Sequence, residues 1–217
     1  MAPTRVRRTA EPALPARLIP RKRPRQERSR ALVDAIVIAA SRVLAESGWD
    51  GFEMKTVAQR AGVSSGSLYQ YFPDRASLVA EIVERLSERE VAFQTARAME
   101  LVQDASVEEM FEATIRSTLA FQAQEGALMR EALRAMPHLG RHALLTERVG
   151  TMVAVMRAWM AVKMPDVPPR ELDVTLHVLS NAIHSLTHDG VLARPAWMDD
   201  ETLAKALVKL VRAYLSR

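Results

Sequence analysis

The stretch Thr56-Val57-Ala58-Gln59-Arg60-Ala61-Gly62-Val63-Ser64-Ser65-Gly66-Ser67-Leu68-Tyr69-Gln70-Tyr71-Phe72 leaves the chain little conformational choice. Val57, Ala58 and Ala61 share one helical face. Gly62 follows them, and a residue without Cβ reaches a positive φ at little cost, so it ends that helix. Val63 plugs the corner. Ser64 or Ser65 caps the next helix by accepting a bond from its free N–H groups. Leu68 points inward, with Tyr71 at i+3. Ala58 stands where the two helices cross and only a small side chain fits. The pattern predicts a helix-turn-helix whose short second helix, carrying Ser65, Ser67, Tyr69, Gln70 and Tyr71, suits insertion into a DNA major groove. A hairpin that merely packs is the plain alternative, and the rest of the chain has to decide between them.

The chain of 217 residues is long enough for one or two domains with a real core. Ala, Leu, Val, Met, Arg and Glu dominate and β-branched alternation is scarce, which predicts an all-α fold. There is no cysteine, which excludes disulfides, thiolate metal sites and a cysteine nucleophile. No apolar run approaches the roughly 20 residues of a membrane span, so no membrane partner is expected. Residues 1–30 hold ten Lys and Arg against Glu11 and Glu27, whereas the remainder holds twenty basic against twenty-four acidic residues. The positive field thus lies at the end that carries the helix-turn-helix, as a polyanion partner requires.

In chain order, residues 1–25 are rich in proline and arginine and predict a disordered basic arm. Within it Pro20-Arg21-Lys22-Arg23-Pro24-Arg25 resembles an AT-hook, with Lys22 where that motif has glycine; Arg21, Lys22, Arg23 and Arg25 are candidates for the minor groove. Residues 26–73 form the three-helix DNA-binding domain. Its first helix buries Leu32, Ala35, Ile36, Ala39 and Val43 and stops at Gly48, and Trp49 and Phe52 pack beneath it. Asp74 caps a long fourth helix, with Arg75 in its first turn, poorly placed for the helix dipole unless it meets a phosphate. Residues 74–217 form a helical domain for effector binding and dimerisation, giving about nine helices in all. Ser106-Val107-Glu108-Glu109 opens the fifth as a capping box. A sixth spans about 126–136, a seventh about 142–163, an eighth about 170–189 closed by Gly190, and Asp199 or Asp200 caps the ninth.

Residues Ser29 to Leu78 resemble the TetR/AcrR family of bacterial repressors. The resemblance rests on Thr56-Val57-Ala58, Ala61-Gly62-Val63-Ser64, Gly66-Ser67-Leu68-Tyr69-Gln70-Tyr71-Phe72 and Asp74-Arg75-Ala76-Ser77-Leu78. The Leu-Tyr-x-Tyr-Phe run before a charged helix start is specific to that family. Many members carry Lys where this chain has Ser65, His at Gln70 and Lys at Arg75. The first two differences change the polar chemistry offered to DNA, and the third keeps the charge. The resemblance implies a cytoplasmic bacterial regulator, a dimer, an inducer pocket among the middle helices, and a phosphate contact for Arg75. Together with the residues it marks Thr56, Ser64, Ser65, Gly66, Ser67, Tyr69, Gln70, Tyr71 and Arg75 as DNA-binding, with Gln70 the best base reader because its amide pairs with adenine.

Met152, Met156, Met160 and Met164 recur every four residues, with Trp159 near, and Phe93, Met110, Phe111, Phe121, Met129 and Met136 come from neighbouring helices. Methionine suits an adaptable apolar pocket, so an apolar or amphipathic effector is expected at Phe93, Met110, Phe111, Phe121, Met129, Met152, Met156, Trp159 and Met160. Leu203, Leu207, Leu210, Val211 and Tyr214 on the last helix, with Leu176, Ile183 and His184 on the one before, predict a four-helix dimer seam. His177, Asn181, His184 and His188 make a polar stripe at that seam or at a pocket wall and predict a response between about pH 5 and 8. His184 and His188 have metal-ligand spacing, as do His138 and His142, but no matched third ligand follows, so neither metal nor other cofactor is expected. No catalytic constellation is present, and no enzyme is expected. The reading is a dimeric repressor on a palindromic operator, released by a small effector. An architectural DNA-coating protein, or a ligand-binding protein with an inert helix-turn-helix, are the alternatives.

Overall fold

The computed structural model describes residues 27–139, 143–197 and 201–216. They form eight α-helices: α1 (Glu27–Ser47), α2 (Met54–Ala61), α3 (Ser65–Tyr71), α4 (Arg75–Leu101), α5 (Val107–Ala135), α6 (Ala143–Lys163), α7 (Pro169–Ala193) and α8 (Glu201–Leu215), with 3-10 turns at Met136–Leu139 and Pro195–Trp197. The chain is all-α, with an N-terminal helix-turn-helix followed by a helical C-terminal region.

Local chemistry accounts for most helix ends. Gly48 (φ 65°) and Gly62 (φ 67°) stop α1 and α2 in the left-handed region. At the second, Val63 N–H donates to Ala58 O (3.0 Å) and Gly62 N–H to Gln59 O (3.2 Å), the paired bonds of a Schellman motif, with Val63 packed onto the core. Asp74 and Ser77 form a reciprocal capping box on α4, and Ser106 and Glu109 form another on α5.

The two glycines expected to interrupt helices behave differently. Gly126 takes a non-helical conformation (φ 34°, ψ −100°) and breaks α5 at the expected boundary between the fifth and sixth helices. Gly190 does not close α7: it is buried, and the helix continues to Ala193. The expected caps Asp199 and Asp200 lie outside the described residues, as do residues 1–25 and His142.

The apolar interior falls into two clusters. One joins α1–α3 and the start of α4 to Phe121, Met129, Ala132 and Ala135 of α5, Leu139, and Val191 of α7. The other packs the first half of α5 against Met160 of α6, α7 and α8. The DNA-reading head therefore shares its core with the second half of α5, and no apolar boundary falls at residue 73. Among the described residues no helix is long and apolar enough to cross a membrane.

Candidate nucleic-acid interface

Helix α3 is short, so its presentation depends on anchoring. Leu68 and Phe72 are fully buried, and Ser64 caps the helix by accepting from Ser67 N–H (3.1 Å). The Ser64 and Ser67 hydroxyls also bond each other at 2.9 Å, so of the two candidate caps the chain uses Ser64. Ser65, Gly66, Tyr69 and Gln70 remain exposed on the outer face. A Cβ on Gly66 would meet only Ser64 Oγ, at 3.9 Å, so internal packing does not demand glycine there. Glycine inside a helix costs about 0.5–1 kcal/mol against alanine, and what it leaves is room for a close approach from outside. Thr56 sits half-buried in the first turn of α2, its hydroxyl 3.5 Å from Glu53 Oε2; the Glu53 side chain does not cap that helix.

Tyr71 departs from expectation. It is 6 % exposed and belongs to the head's core, so it is not a base-reading side chain. The reason is geometric: three residues from Leu68, it falls on the buried side. Arg75 is exposed, and its guanidinium lies 4.3 Å from the Trp49 ring centre while donating to Trp49 O at 3.3 Å. His138 stacks on the same indole, at 4.7 Å and 6° between planes. These contacts tie the start of α4, the α1–α2 turn and the 3-10 turn after α5 together, and nothing in the local sequence marks them. Arg21, Lys22, Arg23 and Arg25 lie outside the described residues.

The residues expected to bind an effector fall into more than one place, with Phe111, Met156, Trp159 and Met160 at one cluster and Phe93 against Phe121 at another. Phe121 and Met129 are buried in the head's cluster, and Phe111 and Met160 in the other. Met110 is buried, Phe93 is exposed, and Met156 is half-buried against the second cluster. Trp159 donates from Nε1 to Val102 O (2.8 Å), which staples α6 to the α4–α5 turn. The side chain of Met152 lies outside what the structure describes. Spacing on one helix could not show that its neighbours bury these side chains in separate places. A groove of about 470 Å³ opens between α5 and α8, lined by Glu112, Arg116, Lys205, Lys209 and Arg212, and holds none of them.

The expected dimer residues also divide. Leu176, Ile183, Leu207 and Val211 are buried within the chain's own second cluster and are not free to meet a partner. Leu210 is exposed, and Leu203 and Tyr214 are half-buried. On α7 the exposed large apolar side chains are Val174, Val178, Leu186 and Leu192. The richer leucine stripe buries first, against its own chain, and leaves the weaker valine face outside.

Polar residues do meet inside, between α4, α5 and α7. Gln94 Nε2 donates to Thr118 Oγ1 (2.9 Å) and reaches Glu90 Oε1 at 3.5 Å. Gln122 hydrogen-bonds the Glu90 carboxyl and lies 3.5 Å from Thr187 Oγ1. Burial pushes the Glu90 carboxyl up to about 7, against the opposing pull of Gln122. Gln122 Oε1 and His184 Nε2 are buried without a hydrogen-bond partner. Burial lowers the His184 imidazole, and burial followed by the neighbouring His184 charge lowers His188 to about 4. The expected histidine stripe is thus split: His177 and Asn181 are exposed, while His184 and His188 turn into the body with rings 4.2 Å apart. Asp173 pairs with Arg157 and not with His177. Glu90 and Gln122 lacked notice in the sequence, yet both interrupt apolar stripes, Glu90 following Val79, Val83 and Leu86, and Gln122 following Ile115 and Leu119.

An all-α chain whose N-terminal helix-turn-helix presents free polar side chains on a capped second helix defines a DNA-binding regulator. Residues 36–82 match the family described as bacterial regulatory proteins, tetR family, and residues 106–215 match the tetracyclin repressor-like C-terminal domain. The chain belongs to the TetR family of transcriptional regulators, which bind DNA and are not enzymes. It is 28 % identical over 206 residues to the transcriptional regulator AlkX of Mycobacterium tuberculosis, covering 93 % of this chain and 94 % of AlkX. It is 36 % identical over 64 residues to the repressor KstR of Rhodococcus jostii, a match spanning 30 % of this chain and only 28 % of KstR. A solved TetR-family regulator of Mesorhizobium loti shares the fold, with a TM-score of 0.64 at 21 % identity over 87 % of this chain and 98 % of that one.

Proposed function

We propose that the protein is a homodimeric repressor that binds a palindromic operator and leaves it when a small apolar or amphipathic effector binds. The observation that carries the DNA half is the exposed face of α3. Ser65, Tyr69 and Gln70 project from a helix that Ser64 caps and that Leu68, Tyr71 and Phe72 anchor. Gly66 clears the approach, the uncapped N-terminus of α2 suits a phosphate, and Arg75 in the first turn of α4 supplies a positive charge. The dimer is supported by the apolar surface of Val174, Val178 and Leu186 with Leu210, which the chain itself leaves uncovered. A two-fold axis there would present two reading heads to two half-sites. An effector that favours one spacing of the heads shifts the population only if it binds that form more tightly. Fluorescence anisotropy on the DNA flanking the protein's own gene tests this. Tight binding to that DNA alone, with two chains per site, is the expected result. Equal binding to scrambled DNA, steeply lost with salt, would refute a specific regulator and favour an architectural one.

A further inference from the structure

The polar cluster between α4, α5 and α7 is expensive as pure structure. Glu90 is 8 % exposed and Gln122 1 % exposed. Among the described residues Glu90 has no cation beside it; its neighbour Arg89 pairs with Glu125. A buried carboxyl held only by amides costs more than an apolar residue of similar size at the same place. Gln122 uses its N–H groups on Glu90 and Thr187, which leaves Oε1 buried without a donor. The acceptor left unsatisfied is therefore the Gln122 amide oxygen, beside a carboxyl with no counter-charge; the other buried atom without a partner is His184 Nε2. Beside it, Phe93 lies one helical turn beyond Glu90, is 41 % exposed, and its ring is 5.9 Å from Phe121. Phe121 carries the Arg89 guanidinium 5.9 Å from its ring centre, and Phe93 beside it shows no such partner among the described residues.

We propose that the Glu90 carboxyl and Gln122 Oε1, flanked by Phe93 and Phe121, recognise the donor head of an amphipathic amine or ammonium effector. This rests on the effector reading above and names its chemical class. A cationic N–H head supplies the missing donors and the missing counter-charge together, whereas a carboxylate head would set a second anion against Glu90.

Titration calorimetry of the full chain with decylamine, decanol and decanoate, all below their micellar concentrations, isolates the head group because the tail is constant. Decylamine is expected to bind at least about tenfold more tightly than decanoate, the scale of one charge-assisted hydrogen bond. Glu90→Gln should abolish that preference while raising the melting temperature, so loss of fold cannot mimic the result. Gln122→Leu should weaken decylamine binding and leave decanoate binding unchanged. Decanoate or decanol bound as well as decylamine would overturn the amine class and leave the effector reading standing. An amine preference that survives Glu90→Gln would overturn the location. Failure of all three to bind, with operator DNA still held in the same samples, would overturn the proposal and the effector reading together.

Discussion

Gln70 and Tyr71 are neighbours on α3 with opposite fates. Gln70 is exposed, so Gln70→Ala should leave the melting temperature nearly unchanged and remove about 1–3 kcal/mol of preference for operator over random DNA, read by anisotropy on the two. Tyr71 is core, so Tyr71→Ala should cost about 3–5 kcal/mol of stability and lose specific and random binding alike, as unfolding does. Gly66→Ala separates folding from recognition. Its site is open and helical, so alanine should stabilise the chain by about 0.5–1 kcal/mol in denaturant melts and still weaken DNA binding, if the glycine exists to let the phosphate backbone approach.

At the scale of elements, α4, α5 and α7 carry two titrations of opposite sign. Glu90 has its pKa raised from 4.5 to about 7 in the fold, so the native state keeps a proton that the unfolded chain has released. Its contribution is lost as pH rises from about 4.5 through 7, and Glu90→Gln should gain stability over that window. The gain relative to the native chain should grow by on the order of 3 kcal/mol in melts taken from pH 4.5 to 8. His188 is lowered from 6.5 to about 4, so the unfolded chain takes up the proton first, and stability falls as pH falls from 6.5 through 4. His188→Asn should flatten that acid limb. Across pH 5 to 8 both partly buried histidines lie below their ordinary range, and Glu90 is the group of this cluster that changes charge near neutrality.

At the scale of the whole molecule, the two faces of α7 make the dimer reading testable. Val178 is exposed, so Val178→Glu should yield a folded monomer in sedimentation and lower operator affinity on the order of a hundredfold, because two half-sites no longer act together. Leu176 is 2 % exposed in the chain's own core, so Leu176→Glu should fail to fold at all. A folded, dimeric Val178→Glu would place the seam elsewhere. The head and the second half of α5 share one core, with Arg75 and His138 against Trp49 at its edge.

The helix-turn-helix was legible in the residues because its rules are local. Gly62 must take a positive φ, Ser64 or Ser65 must cap, Leu68 must face in, and each rule acts within a few residues of the chain. The all-α class, the Ser106–Glu109 capping box and the Asp74 cap were legible for the same reason; the reciprocal bond from Ser77 was not. What lay beyond the sequence was which side of a helix its neighbours cover. His177 and His188 share one stripe of α7, yet packing partly covers only the second; Leu176 and Val178 are both apolar, yet only the first is spent internally. The methionine repeat marked an apolar helix correctly but not where its side chains end up. Periodicity defines the faces of an element, and only the packing of elements far apart in the chain decides which face stays free.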